Sequence, residues 1–108
     1  MIRHCVFLKF RSEIHLEERS EIYRAVASLK SRLAGIRDIE FGVNMSPEAL
    51  DKGFGEGFIV TFENPAARDD YLADAEHAKV GARIVAATQG GSDGVFVFDL
   101  ETTDLRAS

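Results

Sequence analysis

The chain carries a single cysteine, so no intramolecular disulfide can staple it and its stability must come from packing. A lone thiol suits a reducing compartment, and a cytoplasmic protein is expected. Tryptophan is absent and proline occurs twice. No apolar run approaches the ~20 residues that cross a bilayer, so no membrane span is expected. The opening MIRHCVFLKF lacks the long apolar core and small-residue cleavage site of a secretory signal. Basic residues are outnumbered, 13 against 18, for a net charge of −5. No basic stripe is left to neutralise phosphates, which argues against nucleic acid as a partner. The histidines, His4, His15 and His77, stand at no short-range spacing used for metals, and neither metal nor cofactor is expected. No nucleophile elbow or serine–histidine–aspartate order is visible. The glycines of GFGEG and GGSDG are not followed by the helix start that a phosphate cradle needs.

What is present is a globular pattern. Hydrophobic residues make up 45% and charged residues 29% of 108 positions, which reads as one domain over residues 1–108, with 102–108 a loose tail. Residues 2–10 read as a strand, with His4, Val6, Leu8 and Phe10 on one face and Cys5 and Phe7 on the other. Residues 16–33 take the helical period. Leu16, Ile22, Val26, Leu29 and Leu33 form its stripe, and Gly35 is its expected C-terminal cap. Residues 36–45 read as a second strand and 46–56 as a loop. Phe58, Val60 and Phe62 alternate with Ile59, Thr61 and Glu63 in a third strand over 57–63. Asn64 and Pro65 then read as N-cap and first residue of a helix over 65–73. After the break at Asp74-Ala75-Glu76, a second helical stretch covers 77–88. Residues 95–101 form the fourth strand.

The order β-α-β-β-α-β is an α+β, ferredoxin-like arrangement: a four-stranded antiparallel sheet with helices on one face. Helices can cover only one face, yet Val6 and Leu8 oppose Cys5 and Phe7, and Val95 and Val97 oppose Phe96 and Phe98. The second apolar face predicts a homodimer through the sheet, a dimeric α/β barrel.

His4 shares a strand face with Val6 and Leu8, and His77 shares a helical face with Val80 and Ile84. If both faces point between sheet and helices, His4 and His77 line one pocket, with Tyr71 near the same end. An apolar pocket with a few converging polar groups is the usual form of a small-molecule site. There, an imidazole can move a proton and a phenol can hydrogen-bond a developing oxyanion. The same pattern also fits core histidines satisfied by backbone groups. Cys5 reads as a small core residue, Asp69-Asp70 as a solvated helix face, and Glu56 as a candidate base that the loop edge would leave exposed.

The segments IRHCVFLKF, FGVNMSPE and GFGEGFIVTFENPAARDDYL, with the later His77, resemble the stress-responsive A/B barrel (Dabb) family over residues 2–100. The resemblance implies a ferredoxin-like protomer that pairs into a barrel dimer, in a family whose members mostly have no assigned activity. One enzymatic branch, a plant polyketide cyclase, closes a linear tetraketide by an aldol step. That likeness implies a catalytic role for His77, assistance from Tyr71 and a pocket position for His4. Val6, Leu8, Phe54, Val80 and Ile84 are assigned to the ligand-binding wall. The chain departs from that branch at Glu56, where a pocket histidine stands, at Phe54 and Val26, where tyrosines stand, and at Asp74-Ala75-Glu76, which replaces His-Pro-Ala. Three readings follow. The first is cofactor-free acid–base chemistry on a small carbonyl compound. The second is a non-catalytic stress-related or ligand-binding homodimer. The third is a monooxygenase of the antibiotic-biosynthesis type, for which the chain offers no haem-ligating signature.

Overall fold

The computed structural model describes residues 1–103. The strands are β1 (Ile2–Leu8), β2 (Ile36–Val43), β3 (Glu56–Phe62) and β4 (Val95–Glu101). They form one antiparallel sheet in the order β2-β3-β1-β4. The helices are α1 (Leu16–Ser28), α2 (Pro65–Ala73) and α3 (Ala75–Ala87). They pack on one face, and the architecture is ferredoxin-like, as its element order predicts. Among the described residues no helix is long and apolar enough to cross a membrane.

Alternation places Ile2, His4, Val6 and Leu8 of β1 toward the helices, beside Phe58, Val60 and Phe62 of β3. These residues are buried with Ile22 and Val26 of α1, Tyr71 of α2 and Ile84 of α3. Fully burying each large apolar side chain contributes roughly 1.5–3 kcal/mol. Among the described residues, nothing covers the other face of the sheet. Phe96, Phe98 and Leu100 are 49%, 40% and 49% exposed there. Phe7 lies beside Phe96 and Phe98, with ring centroids 6.4 and 6.0 Å apart.

Several boundaries differ from the sequence pattern for local reasons. β2 ends at Val43, whose partner Glu56 is the first residue of β3, so Met45 is left 85% exposed. The helical stretch after β1 becomes α1 followed by a 3-10 turn at Leu29–Ser31. Leu16 is 79% exposed, and Ile14, two residues earlier, is buried at that end of the helix. Gly35 is not a left-handed cap, since its φ is not positive. It is required for close approach instead, because a Cβ there would overlap the Ala67 methyl of α2. Gly35→Ala is therefore expected to cost about 1–3 kcal/mol by overpacking. Gly42→Ala, where an added Cβ meets nothing within 4 Å, serves as its control. Urea denaturation midpoints of the two variants check this. At the end of β4, Thr102 donates its backbone N–H to Met1 O at 2.8 Å, so the chain stays tied to β1 that far. Residues 104–108 of the expected tail lie outside the described residues.

Candidate functional site

Two consecutive helix starts build the site. Asn64 caps α2 by accepting from the Ala67 N–H at 2.9 Å, with Pro65 at the first position. Asp74 has extended backbone (ψ 132°), which stops α2. Its carboxylate then accepts from the His77 N–H at 3.0 Å and caps α3. Arg32, just past the 3-10 turn, donates to the same carboxylate at 2.8 Å. The apparent break at Asp74 is thus a second N-cap, and it holds His77 in the first turn of α3, facing Tyr71.

The His77 and Tyr71 ring centroids lie 4.1 Å apart at 42°. His4 meets the Tyr71 ring edge-on at 5.7 Å. All three line a cavity of about 200 Å3 between the sheet and helices α2 and α3. Val6, Val80 and Ile84 line it too. Leu72, Val85 and Val97 form its rim and are 50%, 39% and 51% exposed.

The polar groups differ in how they are held. His77 Nδ1 is buried and has no hydrogen-bond partner among the described residues. Burial, followed by the nearby His4, lowers the His77 pKa below its ordinary value, while Asp74 opposes the shift. Burial raises the Tyr71 phenol well above its usual range, so it is a neutral donor at pH 7. His4 Nδ1 meets Asp99 Oδ1 at 2.7 Å, and Arg68 donates to Asp99 Oδ2 at 2.8 Å. Burial pulls the Asp99 carboxyl upward, but the bonds from Arg68 and His4 outweigh it and hold it below the carboxylate range. Asp99 is therefore an acceptor, and His4 Nδ1 carries the hydrogen. A neutral base, a neutral donor and an oriented imidazole thus converge in an apolar chamber.

Of the residues expected at the site, the structure brings together His4, Val6, Tyr71, Val80, His77 and Ile84. Leu8 is not in the chamber wall. It is 1% exposed and consumed by the core. Phe54 is on the opposite face of the sheet, 5.7 Å from the Phe96 ring and 4.6 Å beneath the Lys9 ammonium. It lines a separate, larger concavity of about 540 Å3 under the β2–β3 loop, away from both histidines. Glu56 is not a free loop-edge carboxylate. Arg19 donates to it at 2.8 Å and the Tyr23 hydroxyl at 2.7 Å, which ties α1 to β3. Cys5 is buried, with its thiol pKa raised by burial, and is a core residue. Sequence reasoning missed Asp99. The available signal was its place on the inward face of β4, in register with His4.

The depressed His77 pKa has a consequence for stability. Above about pH 6.5 both folded and unfolded chains hold this imidazole neutral. As pH falls through that value, the unfolded chain takes the proton first and native stability drops, until folded His77 also titrates. Asp74 and Asp99, both depressed, act in a lower window below about pH 4. The urea midpoint is therefore expected to fall between pH 7.5 and 5.5, and His77→Gln to flatten that fall. Identical profiles for the two proteins would contradict it.

The family profile described as "Stress responsive A/B Barrel Domain" matches residues 2–102. The chain is 24% identical over 80 residues to an olivetolic acid cyclase of Cannabis sativa, covering 74% of this chain and 79% of the cyclase. It is 24% identical over 104 residues to a stress-response A/B barrel domain-containing protein of Arabidopsis thaliana, covering 96% and 92%. Among solved structures, a dimeric ferredoxin-like protein of unknown function from Jannaschia sp. superposes with a TM-score of 0.86. It is 30% identical, and the match covers 94% of this chain and 98% of that one.

Proposed function

The chain belongs to the stress-responsive A/B barrel domain family, and from that premise we propose a cytoplasmic, single-domain homodimer with one small-molecule chamber in each protomer. The copies pair through the open sheet face carrying Phe7, Phe96, Phe98 and Leu100. The dimeric state of the Jannaschia relative supports this pairing. In each chamber His77 acts as general base and acid on a small carbonyl compound. Tyr71 hydrogen-bonds the oxyanion, and His4, oriented by Asp99, positions the ligand.

The observation that carries this reading is the buried, unpartnered His77 Nδ1 beside the Tyr71 ring. In an enolisation, the His77 nitrogen takes the proton from the carbon next to the carbonyl. The C–H electrons form the C=C bond, and the carbonyl π electrons move to oxygen, where the Tyr71 hydroxyl donates. Returning the proton to the same carbon restores the ketone. If the enolate carbon instead attacks a second carbonyl of the same molecule, the new C–C bond sends that carbonyl's π electrons to its oxygen, which takes the proton held by His77, and the step becomes an aldol cyclisation. The similarity to a cyclase supports that extension.

Deuterium incorporation into the methyl group of acetophenone in D2O, followed by NMR, tests the step without knowledge of the natural substrate. The wild type is expected to accelerate exchange over buffer. His77→Ala should lose about 100-fold or more of that acceleration while keeping the fold and the dimer. An unchanged rate in His77→Ala would remove the catalytic role and leave a ligand-binding dimer.

A further inference from the structure

Among the described residues, the chamber wall contains no lysine, arginine, aspartate or glutamate. Its polar members are His4, Tyr71 and His77; the rest is aliphatic or aromatic, apart from Gly81. Two guanidinium groups stand near its ends, and both are engaged. At the His4 end, Arg68 is shared between Asp99 at 2.8 Å and Asp69 at 2.9 Å. At the His77 end, Arg32 holds Asp74 at 2.8 Å. A ligand carboxylate or phosphate entering here would be desolvated with no cation free to receive it among the described residues, which is strongly unfavourable. The protein as a whole is negatively charged, at −5, and adds no attraction for anions.

Size narrows the class further. An apolar cavity of about 150 Å3 admits benzene, and this one is about 200 Å3. It therefore takes one ring with a short substituent, or an aliphatic chain of equal bulk. The exposed rim of Leu72, Val85 and Val97 continues the apolar surface outward, so any extension of the ligand is apolar as well.

We propose that the chamber selects an uncharged ligand, with an apolar body about the size of one substituted ring packed against His77 and a single hydrogen-bond-accepting oxygen placed at the Tyr71 hydroxyl, and that it excludes carboxylates and phosphates of the same shape. This rests on the site assigned above but not on catalysis there. The depressed His77 pKa agrees with it, because a neutral imidazole gives an anion no counter-charge.

Three matched probes test the proposal at pH 7.5: acetophenone, ethylbenzene and benzoate. Binding is read by NMR shifts of the His77 and Tyr71 rings and by the rise in melting temperature. Acetophenone is expected to bind and to shift both rings. Ethylbenzene, lacking the oxygen, should bind about fivefold more weakly. Benzoate should bind at least 30-fold more weakly than acetophenone. Gly81→Leu supplies the control. Gly81 lines the chamber, and a Cβ there meets nothing within 4 Å. The leucine should fill the chamber and abolish acetophenone binding. It should also raise the melting temperature of the free protein, because a mid-helix glycine is replaced by a strong helix former. Benzoate binding as tightly as acetophenone, no binding by any probe at low millimolar concentration, or acetophenone binding that survives Gly81→Leu would each overturn the proposal. Binding in the expected order without deuterium exchange would uphold the ligand class and remove the catalytic reading. Exchange together with tight benzoate binding would do the reverse.

Discussion

Phe98→Glu is expected to convert the proposed sheet-face dimer into a folded single chain. Phe98 is 40% exposed on the open sheet face and packs its ring against Phe7 at 6.0 Å and Phe96 at 5.7 Å. With Phe96 and Leu100, each about half exposed, it presents roughly 250 Å2 of apolar side chain per protomer. At about 25 cal/mol per Å2, covering that surface contributes ~6 kcal/mol from each copy before association costs. A carboxylate at this position must either stay hydrated, which keeps the faces apart, or be buried without a partner. The dimer dissociation constant should rise at least 1,000-fold, equivalent to about 4 kcal/mol. Because position 98 points away from the helices, the core of each protomer is untouched. Light scattering at micromolar concentration should therefore report a monomer whose circular dichroism matches the wild type. A variant that remains dimeric would place the interface elsewhere.

Glu56→Ala is expected to be the most destabilising single change outside the apolar core. The carboxylate joins Arg19 at 2.8 Å and Tyr23 at 2.7 Å, and the Glu56 and Arg19 side chains are only 16% and 22% exposed. Arg19 also donates to Ile14 O at 2.8 Å and lies 4.9 Å from the Phe10 ring centroid. Burial, and then the bond to Glu56, raises the Tyr23 phenol above its usual range, so its proton stays on as the donor. Removing one partner of such a cluster strands a largely buried guanidinium and a hydroxyl. The cost for buried pairs is about 3–5 kcal/mol, with the lower end fitting this partly wet site. A loss of ~3 kcal/mol corresponds to a fall of roughly 12 °C or more in melting temperature. A double-mutant cycle with Arg19→Met separates the pair from its surroundings. If Glu56→Ala melts within two or three degrees of the wild type, the cluster is a surface ornament.

Most local signals in the chain match the structure, Gly35 and Asp74 excepted, whereas partners distant in sequence do not show in it. Asn64-Pro65 announces α2 because a cap and a fixed φ act within three residues. The period-two alternation of Val95 to Leu100 places β4 and its two faces by the pleat alone. His77 and Tyr71 were legible as a pair because they lie six positions apart across one helix junction. The site's remaining polar partner was not legible. Asp99 meets His4 across 95 residues, and only the β1–β4 register brings them together. Glu56 looked exposed because its partners Arg19 and Tyr23 lie 37 and 33 residues away on a helix that folds back over β3. Asp74 looked like a break, although an aspartate with extended backbone that ends one helix can cap the next. Phe54 was assigned to the chamber by family likeness. The loop instead presents it to the Phe96 ring and the Lys9 ammonium, on the far side of the sheet.

The central claim is that His77 stands as a neutral base, with one bare nitrogen, inside an apolar chamber against Tyr71. Titration of its imidazole by 15N NMR in the ligand-free protein tests this most directly. The account predicts a single transition below pH 6.5 and a neutral ring at pH 7. A ring that is still charged at pH 7, with its transition above that of a free histidine, would contradict it.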